Sequence, residues 1–162
     1  MTMLTLVAAA TMLLRSSDFS SGGTIPKAFM AVDCGGQNRV PALAWSSPPA
    51  SAKSFALVVH DPDAPVPGGF YHWVVYDIPA SARALGGSTA PAGRQGLRTT
   101  GKSGYYGPCP PPGPVHHYIF TLYALDVSTV GASGALSASQ LQARMSGHIL
   151  AQATLEATAA TR

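Results

Sequence analysis

Residues Phe55–Pro79 read FALVVHDPDAPVPGGFYHWVVYDIP. Two apolar runs, Phe55–Val59 and Trp73–Ile78, are rich in valine and aromatic side chains. Runs of this kind bounded by Pro, Gly and Asp read as β-strands. They are nearly continuous rather than alternating, which predicts burial on both faces. The connection between them carries Asp61 and Asp63, and His72 stands where the second run begins. Groups at the ends of rigid buried strands are where binding and chemistry usually sit.

Working outward, His117–Leu125 (HYIFTLYAL) is a third strong strand, with large residues on both faces. Met12–Arg15 reads as a first strand, and Ile25–Pro26 begins another extended segment. Val40–Trp45 is apolar but broken by Pro41, which predicts an edge strand. Ala80–Gly104 has no clean period and reads as an irregular excursion; a loop of that length is usually functional or disordered. Tyr105–Pro114 (YYGPCPPPGP) excludes a helix or a central strand. It is either a stiff surface linker or a rigid wall beside a site, and the flanking aromatics and following histidines favour the wall. From Leu136 the period changes: Leu141, Met145, His148, Ile149 and Gln152 fall at helical spacing. Ser137 or Ser139 caps that helix, and Gly147 breaks it into two pieces. The tail, Ala151–Arg162, offers little to anchor it beyond Leu155. Strands first and a helix last point to a mostly β fold.

The whole chain sets outer bounds. Its 162 residues predict a single domain over 1–162, with 1–11 as an N-terminal extension. Hydrophobic residues make up 46% and charged residues 10%, enough for a core and too little charge for disorder. The net charge of +3 comes from scattered residues without a Lys/Arg run, which argues against nucleic acid as a partner. Cys34 and Cys109 have no zinc-like spacing, and two free thiols in a reducing compartment is the plainer reading. Leu4–Leu14 is apolar, and Ala8–Ala10 resembles a cleavage site. No basic residue precedes it, and it is too short to span a bilayer. The expectation is a soluble cytoplasmic protein without a transmembrane segment, export being the minority alternative.

Taken singly, each candidate has a bland reading. Asp-Pro-Asp-Ala-Pro is good turn chemistry, and His72 is a reasonable strand-end residue. Together they carry more weight. The chain has only seven acidic residues and five histidines. Asp61, Asp63, His72, His116 and His117 all fall at the ends of the strongest strands. If those strands are neighbours, the groups meet at one rim. Carboxylates beside imidazoles raise the histidine pKa, and a doubly protonated ring donates two hydrogen bonds to an anion. A divalent metal site and Asp/His general acid–base catalysis remain open. No nucleophile elbow, His-Glu-x-x-His or phosphate-cradling loop is present.

Four motifs in order resemble the phosphatidylethanolamine-binding protein family, in its bacterial Raf-kinase-inhibitor-like branch. They are Asp61–Pro65, Tyr71–Val75, Gly104–Pro111 and His116–Tyr118; Ala42–Trp45 and Gly147–Ala151 also fit. The resemblance runs from about Leu13 to Leu155. It implies a β-sandwich with a large central antiparallel sheet, a smaller second sheet and a C-terminal helix. It also implies a small anion pocket at one end of the large sheet. Carried over motif by motif, the ligand-binding residues are Asp61, Asp63, His72, Tyr105, Gly107, Pro108, Pro110, His116 and Tyr118. Asp61 and His72 would form the floor, and the Tyr105–Pro112 loop a wall with backbone donors. His116 and Tyr118 would share a face. His117, where the family often has Arg, would point away. Relatives often end in Gly-x-Tyr where this chain has Ala157-Thr158-Ala159.

The function this implies is non-enzymatic binding of a small phosphate-like anion or phospholipid head group, with protein partners such as kinases in the family's name. No cofactor or catalytic residue is expected, and a homodimer is an open alternative. The competing reading is a hydrolase or isomerase using the Asp/His cluster. Ser103 is the nearest hydroxyl for that chemistry, in an ordinary turn.

Overall fold

The computed structural model describes residues 10–161. Residues 1–9, which hold most of the proposed N-terminal extension, and residue 162 lie outside that range. The elements in chain order are β1 (Leu13–Ser16), β2 (Leu43–Ser46), β3 (Ser54–Asp61), β4 (Phe70–Pro79), β5 (Ala84–Leu85), β6 (Arg94–Gln95), β7 (His116–Leu125), α1 (Ala138–Met145) and β8 (Ile149–Ala159). Two single-turn 3-10 helices, Lys27–Phe29 and Val32–Cys34, lie between β1 and β2.

The strands form two antiparallel sheets. The larger has the order β6-β4-β3-β7-β8, the smaller β1-β2-β5. The mostly β architecture expected from the sequence is therefore present.

The central strand β3 shows why it is apolar on both faces. Phe55, Leu57 and Val59 pack into the core shared with the small sheet, beside Leu43, Trp45, Phe120 and Leu155. Ala56 and Val58 pack on the opposite side with Leu141 and Met145 of α1. Each face of the large sheet thus has its own apolar cover, and alternate residues of one strand serve both.

Several sequence expectations need correction. Val40–Trp45 yields a strand that is not an edge: β2 is the middle of the small sheet. Pro41 lies two residues before its start, so it interrupts no ladder bond. The excursion after β4 contains two short strands, β5 and β6. Ile25–Pro26 is tied down at its start, where Ile25 N–H donates to Thr158 O, and a 3-10 turn follows immediately.

The helical spacing that reached Gln152 stops at Met145. α1 opens on a capping box between Ser137 and Gln140. It ends at Ser146, and Gly147 follows at φ 82°, a left-handed value that suits glycine. After His148 comes strand β8, Ile149–Ala159, paired with β7 along its length. Ala153, Leu155, Ala157 and Ala159 are buried at a period of two. This anchors the tail that the sequence left with one apolar contact.

The reading of Cys34 and Cys109 as free thiols is also overturned. They form a disulfide across 75 residues, joining the Val32–Cys34 turn to the proline-rich loop before β7. Among the described residues, no helix is long and apolar enough to cross a membrane.

Candidate functional site

At one end of the large sheet, β3 delivers Asp61, β4 delivers His72, and β7 delivers His116 and Tyr118. Their placement follows from register. Val59 pairs with Trp73 while its neighbour His60 pairs with Tyr71, so His72 is an extra residue in β4. Such bulges recur beside sites and re-aim a side chain. Tyr71, on the other side of the extra residue, packs with the α1-side core. His72 meets Tyr118 edge-on, with ring centroids 5.1 Å apart, and Tyr118 belongs to the small-sheet core. On β7, plain alternation places His116 and Tyr118 on that same side. They pair with Ala159 and Ala157, small residues beneath the site.

The acidic turn is fixed by its own side chains. Asp61, 2% exposed, accepts from Asp63 N–H at 2.9 Å through Oδ1 and from His116 Nδ1–H at 2.8 Å through Oδ2. Asp63 reaches outward. Its Oδ2 accepts from the His117 N–H at 2.8 Å and from His117 Nδ1–H at 2.7 Å, clamping the turn to β7. Gly69 closes the turn at φ 76°, where a Cβ would strike the Asp61 carbonyl.

The wall is the Tyr105–Pro112 loop. Tyr105 O–H donates to Phe29 O at 2.8 Å, Gly107 N–H to Asn38 Oδ1 at 2.7 Å, and Ala31 N–H to Pro108 O at 3.0 Å. A Cβ on Gly107 would collide with Phe29 O and Ala31 N, so the loop lies directly on that segment. Tyr106 stacks on His72 at 6.0 Å and carries the Arg98 guanidinium over its ring at 5.1 Å. Its O–H donates to Asp33 Oδ2 at 3.2 Å.

These elements enclose a cavity of about 220 Å³ lined by Asp61, His72, His116 and Tyr118 on the sheet side. Phe70, Tyr106, Cys109, Pro110 and Pro111 face them, and Ala64–Val66 form the rim. Of the sequence-predicted residues, Asp61, His72, Pro110, His116 and Tyr118 line it. Asp63, Tyr105, Gly107 and Pro108 do not: they hold the turn and the wall from behind. His117 points away, as expected.

The aromatic lining of Phe70 and Tyr106 gave no separate sequence signal, although Tyr106 lies between two chosen positions and Phe70 two residues before His72. Asn38, whose amide spans Gly107 N–H and Tyr105 O, gave no sequence signal. Two of the expected backbone donors are spent inside the protein. Tyr106 N–H is spent on His72 O and Gly107 N–H on Asn38. Proline has no N–H, so Cys109 has the remaining one in Tyr106–Pro112.

The expected protonated imidazole is also corrected for His72. Burial pushes its pKa down to about 4, against the upward pull of the Tyr106 carbonyl and Asp61. Desolvation disfavours the charged ring more than its neighbours restore it. Its Nδ1–H donates to Tyr106 O at 2.7 Å, so the neutral ring keeps a bare Nε2. His117 does behave as expected, its pKa raised by its hydrogen bond to Asp63, but outside the cavity. The Tyr118 phenol is pushed up by burial first and then by Asp61. Its hydroxyl is sealed from solvent and stands near the Asp61 carboxylate without closing a full hydrogen bond to it. Also among the described residues, no three His, Cys, Asp or Glu side chains group as a metal would require.

The sequence profile of the family described as "Phosphatidylethanolamine-binding protein" matches residues 15–160. A UPF0098 protein of Aquifex aeolicus is 40% identical over 150 residues, covering 89% of this chain and 85% of that one. LppC of Mycobacterium tuberculosis, which carries a lipoprotein name, is 42% identical over 154 residues, covering 92% of this chain and 74% of its own. The crystal structure of Escherichia coli YbcL superposes with a TM-score of 0.86 at 30% identity, covering 94% of this chain and all of that one.

Proposed function

The chain belongs to the phosphatidylethanolamine-binding protein family, and on that premise we propose that its cavity binds a small phosphate-like anion or phospholipid head group without turning it over. The observation that carries this reading is the convergence of two imidazoles on one cavity: His72, whose Nε2 has no protein partner, and His116, oriented by Asp61. The cavity of about 220 Å³ lies below the roughly 300–1,000 Å³ of drug-sized ligand pockets, which suits a head group rather than a whole lipid.

The absence of turnover rests on the lining. It holds no Ser, Thr or Lys, and its cysteine is already in a disulfide. Asp61 and His116 form an orienter-and-base pair, but no side chain beside them is placed as a nucleophile.

The disulfide also supports an oxidising compartment over the cytoplasm, in keeping with the lipoprotein name of one relative. Thiol labelling of protein drawn from its native cells would test this, and two reactive thiols would restore the cytoplasmic reading.

The anion reading is tested by calorimetric titration with inorganic phosphate and phosphoethanolamine. Saturable binding that His116→Ala weakens about tenfold is the expected result, the loss of one hydrogen-bonding group facing the anion. Undiminished binding in that variant, or none in the native protein, would sink it.

A further inference from the structure

The cavity is lined with more acceptors than an anion needs. His72 donates through Nδ1 to the Tyr106 carbonyl. Its Nε2 has no protein partner, yet it is not among the polar atoms sealed from solvent. That nitrogen therefore opens on the cavity its ring lines as a lone pair. Asp61 presents a buried carboxylate whose two oxygens each accept one hydrogen bond, leaving further lone pairs. The charged and titratable groups around His72 are Asp61 and His60 from β3, His116 and Tyr118 from β7, and Arg98 beyond Tyr106. Arg98 has the Tyr106 ring between it and the cavity, so it offers the ligand no direct contact.

An oxyanion without protons would set its own lone pairs against His72 Nε2 and the Asp61 carboxylate. An oxyanion carrying an O–H would donate to one of them. Buried acceptors left unmatched discriminate strongly between otherwise similar ligands. Resting on the anion reading above, we propose that the site selects an oxyanion that keeps a proton, as hydrogen phosphate or a phosphate monoester does, over sulfate and phosphodiesters. His72 Nε2 and Asp61 are the acceptors that read the proton.

Phosphate and sulfate have nearly the same size and shape. Near neutral pH phosphate retains at least one proton and sulfate none, while dimethyl phosphate is a diester without one. Calorimetric titration of the full chain at about pH 6 would compare these three. The expected result is phosphate at least about tenfold tighter than either rival, about 1.4 kcal/mol. In His72→Gln the amide places an N–H donor near the position of Nε2. It should narrow the phosphate-to-sulfate ratio to about threefold or less, with an unchanged circular dichroism spectrum confirming the fold. Sulfate or dimethyl phosphate binding as tightly as phosphate overturns the inference while leaving the anion site standing. A ratio unmoved in folded His72→Gln overturns the role of His72 in it. No binding of any of the three overturns the anion reading as well.

Discussion

Two aspartate–histidine pairs stand two residues apart and differ in almost nothing but water. Asp61–His116 and Asp63–His117 make the same Nδ1–H to Oδ2 hydrogen bond, at 2.8 and 2.7 Å. In the first the side chains are 3% and 10% exposed, in the second 40% and 45%. A β-strand sends consecutive side chains to opposite faces, so neighbours on β7 meet a cavity and open solvent respectively. Distance alone would rank the pairs as equals. Burial makes one a part of the site and the other a clasp on the turn, because screening leaves exposed pairs with little net energy and burial makes loss of a partner expensive.

The largest expected effect tests that ranking. Asp61→Ala removes the acceptor of both Asp63 N–H and His116 Nδ1–H inside the protein. It should cost about 4 kcal/mol in urea denaturation at neutral pH. A loss no greater than that of Asp63→Asn would break the comparison.

The second effect is in pH. The folded pKa of His72 lies at about 4, below its ordinary 6.5. The unfolded chain therefore takes up its proton first as pH falls, and stability declines from pH 6.5 towards 4, by about 3 kcal/mol in all. The exposed pair acts in other windows. His117 is raised, so its contribution is complete below 6.5 and fades as pH rises through its folded value. Asp63 is lowered from 3.8, so its contribution is present above that value and fades as pH falls through the folded one. Denaturation curves across this range should show an acid decline that His72→Gln flattens and Asp63→Asn leaves in place. An unaltered decline in His72→Gln would assign it to another group.

Tyr118→Phe sharpens the comparison from within the cavity. Removing this sealed hydroxyl, which closes no full hydrogen bond, should raise stability by about 1 kcal/mol. Lost stability in the unliganded variant would mean that the hydroxyl has a structural partner after all.

The smallest effect is the control. Asp63→Asn should leave phosphate affinity unchanged and move the thermal midpoint no further than replicate scatter. A marked loss of affinity would bring the exposed pair into the site.

What was legible in the sequence follows the same division. β3 and β4 were readable because two-sided burial forces continuous apolar runs, and β7 because large apolar residues recur along it although only alternate ones are fully buried. Asp61, His72, His116 and Tyr118 were readable because they end those runs in motifs that a family shares. The wall was legible as a wall but not in detail. Whether Tyr105 or Tyr106 faces the cavity depends on tethers to Phe29, Ala31, Asp33 and Asn38, residues far away in sequence and governed by no period. β8 was hidden because alanine and threonine alternate without strong contrast, and its strand character comes from pairing with β7. The disulfide was invisible because two cysteines 75 residues apart say nothing of proximity. The sign of the His72 shift was misjudged because a neighbouring carboxylate can be read from sequence and depth of burial cannot.

The bulge in β4 separates what the sheet needs from what the site needs. His72 is the one residue between Tyr71 and Trp73 that has no counterpart on β3. Deleting it would restore plain pairing at this point, leave the second register shift between Phe55 and Leu57 as it is, and strip the cavity of its imidazole. Substitutions at this position probe chemistry, whereas a single-residue deletion probes architecture. A chain one residue shorter that still folds, with its cavity unable to hold an anion, would show the binding residue to be a guest in the strand that carries it.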